Sequence, residues 1–157
     1  MIAHSANSSA CAVMREMARL LAGIYATPRQ ATVAVAADPA HAMELLAAGR
    51  PGGAAVVMFY LSDADAADGD LPEDTRVEGR IRIGVVRHQG LAAQPAVGVP
   101  GALEEAEALR TCMARIVADE TLTGGYEYAG MTYLQNNKGE LLHGYALDYK
   151  ALYAYTV

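Results

Sequence analysis

Apolar residues return along this chain at two different spacings, and the switches between them outline the elements. From about Ser9 to Gly23 the spacing is helical: Val13, Met14, Met17, Leu20, Leu21 and Ile24 form one stripe, with Arg15 and Arg19 on another face. Ser8 or Ser9 stands where a side-chain oxygen can cap the first amides. Residues 31–36, ATVAVA, then read as a short strand. Asp38-Pro39 opens a second helix, with Asp at the cap, Pro at the first helical position and Gly49 as its stop. Met43, Leu45 and Leu46 are its expected apolar contacts.

The run from Ala54 to Leu61 is continuously apolar, as in a strand covered on both faces near the middle of a sheet. Arg76 to Arg87 alternates instead: Val77, Ile81, Ile83 and Val85 against Arg76, Glu78, Arg80 and Arg82. That pattern predicts one core face and one charged face. Residues 89–100 read as a long connection. A third helix follows over about Leu103 to Ala118, with Leu109, Cys112, Met113 and Ile116 inward. Glu104, Glu105 and Glu107 complement the dipole at its start.

The last third reads as a β-hairpin: Tyr126 to Gln135, a turn at Asn136-Asn-Lys-Gly139, and Glu140 to about Tyr155. Leu141, His143, Tyr145, Leu147, Tyr149, Tyr153 and Tyr155 would share one strand face. Tyr145, Tyr149 and Tyr153 would also share a helical face, so spacing leaves both open; tyrosine content and the preceding turn favour a strand. The second arm outruns the first, and its last backbone groups need a strand of the same domain or of a neighbouring subunit. The expected fold is α+β, a mainly antiparallel sheet flanked by about three helices in a single domain over 1–157. An acidic loop at 62–75 and the hairpin at 126–155 are its distinctive parts.

Composition sharpens this outline. Trp is absent and Phe occurs once, so nine tyrosines supply nearly all the aromatic surface, which suits half-buried sheet faces and subunit contacts. The net charge of −6 is concentrated: Asp63, Asp65, Asp68, Asp70, Glu73 and Asp74 fall together with no Lys or Arg among them. The remaining twelve acids match the twelve Lys and Arg. No segment supplies the basic patch that phosphate backbones require, which argues against sequence-specific nucleic-acid binding. Cys11 and Cys112 form no C-x-x-C pair and read as reduced, buried small residues. The first residues lack the cationic start and unbroken apolar run of a secretory signal, and no stretch reaches the ~18 residues of a bilayer span. The chain reads as soluble, intracellular or packed into a particle, with no membrane partner.

Recognised catalytic patterns are missing. His4, His41, His88 and His143 are scattered without metal-ligand spacing, and there is no G-x-S-x-G, P-loop or G-x-G-x-x-G. Residues 49–53, GRPGG, lack the lysine of a phosphate cradle and read as a turn. Asp63 and Asp65 match the first ligands of an EF-hand loop, but Ala67 and Asp68 break the pattern. No catalytic residue, cofactor or metal ligand is assigned, and the chain is not expected to be an enzyme.

The order of elements, with the closing segment 139–149 (GELLHGYALDY) and, more weakly, Arg76 to Arg87, resembles the tail-terminator and tail-completion (minor tail) proteins of long-tailed bacteriophages and prophages. The resemblance covers most of the chain as architecture. It implies a structural subunit that assembles with itself into a ring, commonly a hexamer, capping the tail tube and contacting other tail or head–tail connector proteins. It places the protein in a virion, or in host cytoplasm if expressed from a prophage. On this reading Tyr145, Tyr149, Tyr153 and Tyr155 are expected on an assembly surface. The acidic loop, Asp63, Asp65, Asp68, Asp70, Glu73 and Asp74, is expected in solvent or a ring lumen, where like charges let DNA slide without sticking.

Two other readings compete. One is a small-molecule-binding or enzymatic α+β domain whose site is assembled from dispersed residues: Arg80, Arg82, His143, Asp148 and Tyr149. The other is an accessory protein binding calcium or a partner through its acidic loop.

Overall fold

The computed structural model describes residues 10–26, 31–48, 53–65, 74–88, 101–118, 126–134 and 142–156. It contains three α-helices, α1 (Ala10–Leu21), α2 (Pro39–Ala47) and α3 (Ala102–Ala118), and five strands. The strands are β1 (Ala31–Val35), β2 (Ala54–Asp65), β3 (Asp74–His88), β4 (Tyr126–Leu134) and β5 (Leu142–Thr156). They form one sheet in the order β1-β2-β3-β5-β4, antiparallel except for the β1–β2 pair. The fold is α+β, as the periodicities predict.

One face of the sheet carries the main core. Ile81, Ile83 and Val85 of β3, Val56 and Met58 of β2, and Leu147, Tyr149 and Ala151 of β5 pack there. They meet Met17 and Leu21 of α1 and Leu109, Met113 and Ile116 of α3. Each fully buried aliphatic side chain contributes about 1.5–3 kcal/mol relative to exposure. α2 covers part of the other face through Ala42 and Leu46, over Ala55, Val57, Phe59 and Val86. Asp38 caps α2 by accepting from the His41 amide at 2.8 Å, and Pro39 opens it.

Several details depart from the periodic reading. α1 runs into a π turn over Ala22–Ala26, which delays the register so that Tyr25 is fully buried while Ile24 is 38% exposed. Met43 is exposed, Ala42 taking the inward position. Cys11 is exposed, because it lies off the buried side of α1, and Cys112 is half-buried; neither is in a disulfide. The far face of β3 is charged only in part: Val86 is buried, and Gly84 leaves room for Leu46 of α2. Strand pairing also continues into the segment expected to be an irregular acidic loop. Asp63 and Asp65 belong to β2, and Asp74 and Thr75 to β3, because the ladder with a long partner satisfies their backbone groups. Residues 66–73 lie outside the described residues, as does the expected turn at 136–139.

Gly144 has no room for a side chain: a Cβ there would stand 2.5 Å from Val86 Cγ1 and 2.7 Å from the Val85 carbonyl oxygen. Gly144→Ala is expected to destabilise by about 1–3 kcal/mol in a urea melt. Tyr149 is the opposite case. Its hydroxyl is buried with no hydrogen-bond partner among the described residues, so Tyr149→Phe should be neutral or stabilising by up to about 1 kcal/mol. Burial pushes the Tyr149 and Tyr126 phenols well above their ordinary value of 10.0. Folding therefore favours their neutral forms, and the stability they contribute is intact below pH 10 and falls as pH rises above it. In an alkaline titration read by tyrosinate absorbance, these two should ionise only as the chain unfolds.

Candidate assembly surface

β3 and β5 pair along their whole length, from Asp74↔Thr156 to His88↔Leu142. Their outer neighbours are shorter. β1 pairs with β2 only from Ala54 to Met58, and a last bond runs from the Ala36 amide to the Met58 carbonyl at 2.8 Å. β4 pairs with β5 only from Gly144 to Ala151. The sheet is thus five strands wide at one end and continues at the other as a three-stranded ribbon, β2-β3-β5. Among the described residues, no strand covers the outer edge of Leu61–Asp65 on one side of this ribbon. None covers Leu152–Thr156 on the other.

Beside the step where β1 ends lies a mainly apolar groove of about 490 Å³, bordered by Ala10, Met14, Val35, Ala36, His41 and Tyr60. His41 Nδ1 accepts from the Ala37 amide at 3.0 Å, which leaves Nε2 to carry the proton when the ring is neutral. The next residue of β2, Leu61, is the extra residue of a bulge between Tyr60 and Ser62 and is 38% exposed. A second bulge on β4 lies between Tyr128 and Gly130, where Gly130 takes φ +144°, a backbone conformation that side chains disfavour.

The four tyrosines expected on one assembly surface divide. Tyr149 is 2% exposed and belongs to the core, edge-to-face with Tyr128 at 5.7 Å. The helices cover that face of the sheet, so Tyr149 is no surface residue. Arg110 of α3 stacks over the outer ring, 3.9 Å from the Tyr128 centroid, closing the cover. Tyr145 is half-buried against Tyr133, centroids 5.4 Å apart, and Tyr133 is 47% exposed on the outermost strand. Tyr153 and Tyr155 lie in the ribbon, opposite Val77 and Thr75 of β3. Of the acids, Asp63 and Asp65 stand opposite Gly79 and Val77, and Asp74 opposite Thr156. Asp68, Asp70 and Glu73 lie outside the described residues.

The dispersed residues of the enzymatic reading are brought together only in part. Arg82 and Asp148 are direct cross-strand partners in a two-pronged ion pair, Nε to Oδ1 at 2.7 Å and Nη2 to Oδ2 at 2.9 Å. The hydrogen bond to Asp148 raises the Arg82 guanidinium further above its ordinary value. Lys150 and Glu78 lie 3.8 Å apart nearby, and Arg80 is exposed. Tyr149 is buried on the opposite face, and His143 pairs in register with Arg87, towards the other end of the ladder. Among the described residues no group of three or more His, Cys, Asp or Glu is placed to hold a metal ion. No described helix is long and apolar enough to cross a membrane.

Sequence reasoning missed a buried polar cluster. Glu105, read only as a dipole partner, is 1% exposed. It accepts from the Tyr25 hydroxyl at 2.5 Å and from Arg87 Nη1 at 3.1 Å. The three residues join the π turn, β3 and the first turn of α3. The available signal was Glu105's position one residue before Ala106, on the same helical side as Leu109 and Met113. Removing one partner strands a buried charge, so Arg87→Met is expected to cost about 3–5 kcal/mol. The double variant Arg87→Met/Glu105→Leu should recover much of that loss in a thermal or urea melt.

Comparison with known protein families and with curated proteins finds no match to this chain.

Proposed function

We propose that this chain is a structural subunit of a phage tail or head–tail junction, of the tail-terminator kind, and that it acts by assembling with further copies into a ring. The observation that supports this reading is the three-stranded ribbon, whose edges at Leu61–Asp65 and Leu152–Thr156 have no partner strand among the described residues. Strand edges carry unpaired N–H and C=O groups and pair readily with another chain. Two such edges on opposite sides of one ribbon suit a heterologous contact, the kind that builds rings. The partners on this reading are further copies and tail or connector proteins, in a virion or, from a prophage, in host cytoplasm. The acidic stretch 63–74 then belongs near a lumen, where it repels passing DNA.

Native mass spectrometry over a series of concentrations at low and high salt tests the reading. Growth to one closed oligomer, visible as a ring by electron microscopy, is the expected outcome. A chain that stays monomeric at every concentration and ionic strength overturns it.

A further inference from the structure

We infer that the ring interface is a shared sheet, in which Leu61–Asp65 of one copy pairs in parallel with Leu152–Thr156 of the next. This inference rests on the self-assembly reading and assigns its contact surfaces. Strand direction is the first argument. β2 and β5 both run antiparallel to β3, so they run the same way as each other. Rotation about an axis along the strands brings the β5 edge of one copy beside the β2 edge of another in parallel orientation. β2 already has a parallel partner, since β1 lies along Ala54–Met58 on that same side. The chain then leaves the line of β1 at Asp38-Pro39 to form α2. An incoming β5 segment continues that line where β1 stops.

Chemistry selects the occupant. The uncovered β2 segment, LSDAD, carries Asp63 and Asp65, so two β2 edges placed together would set like charges against each other. The segment LYAYT at 152–156 has no charge and supplies apolar and aromatic side chains. The groove at the step is mainly apolar, and Leu61, the residue after its lining residue Tyr60, is exposed. Pairing two β5 edges with each other would leave the β2 edge uncovered, whereas head-to-tail pairing covers both. Such pairing also brings Asp63, Asp65 and Asp74 of every copy to one end. Screening should therefore favour assembly, as the Debye length falls from about 10 Å at 0.1 M salt to about 3 Å at 1 M.

The test uses the full chain carrying Cys11→Ser, with Ser62→Cys and Ala154→Cys placed singly and together, treated with a short bis-maleimide. The double variant should give a ladder of covalent multimers ending at the native ring size. Equimolar mixing of the two single variants should give the mixed dimer. Leu61→Lys should fold with an unchanged melt yet weaken assembly about tenfold or more. Oligomers that form without the mixed cross-link, or with only Ala154→Cys homodimers, overturn this interface and leave the self-assembly reading standing. Assembly unaffected by Leu61→Lys also counts against the interface. A monomer under all conditions overturns both.

Discussion

The full-length antiparallel ladder between β3 and β5 is the constraint on which the rest of the structure depends. Both strands have fifteen residues, and every residue of one has a register partner in the other. A one-residue slip would turn one strand over relative to the other, sending either Ile81, Ile83 and Val85 or Leu147 and Tyr149 out of the main core. It would also separate Arg82 from Asp148, which are direct partners only in this register. β2 and β4 are added to the outer sides of this ladder and β1 to the outer side of β2. Each shorter neighbour sets where the helix-covered part of the sheet gives way to the ribbon.

The Glu105 cluster shows how the helical layer is fixed to that ladder. A carboxylate with 1% exposure would be costly without partners, yet it holds a phenol from the π turn and a guanidinium from β3. Hydrogen bonds with direction locate the helices more specifically than apolar packing does alone. The π turn makes this possible, because the delayed register carries Tyr25 inward to meet α3. Tyr126 adds a second tie, its hydroxyl donating to the Val13 carbonyl of α1 at 3.3 Å.

Periodicity made the elements legible because most of them have one dry face or two. The apolar run of β2, the alternation of β3 and the Asp38-Pro39 start of α2 all lie where the sequence places them. What stayed hidden depends on long-range partners. Asp63, Asp65 and Asp74 look like loop residues by composition, and only the ladder beside them makes them strand. Tyr149 looks like a surface tyrosine until both sides of β5 are known to be paired and its helix face covered. The π turn leaves no periodic trace, since a single delayed residue is lost among the alanines around it. Of the candidate surface, the surplus length of the last arm was readable. Its first partner is β3 of the same chain, a pairing that alternation in either strand could not specify.

The ribbon is continuous with the core, and this bears on how it would bind. β2 is buried from Ala54 to Phe59 and, among the described residues, has no outer partner strand from Leu61, while β5 is buried at Leu147 and Ala151 and has none from Leu152. Both strands stay paired with β3 on either side of the change, and no loop separates the packed half from the edge half. Each edge therefore inherits its direction and twist from strands whose other halves are locked by side-chain packing. Binding at such an edge requires little new ordering of backbone, which removes a principal entropic cost of association. The bulge at Leu61 adds local twist at the boundary and turns an apolar side chain outward there. An edge shaped in that way admits one register and one direction of partner more readily than a flat edge does, and that selectivity separates a closing assembly from indiscriminate strand addition.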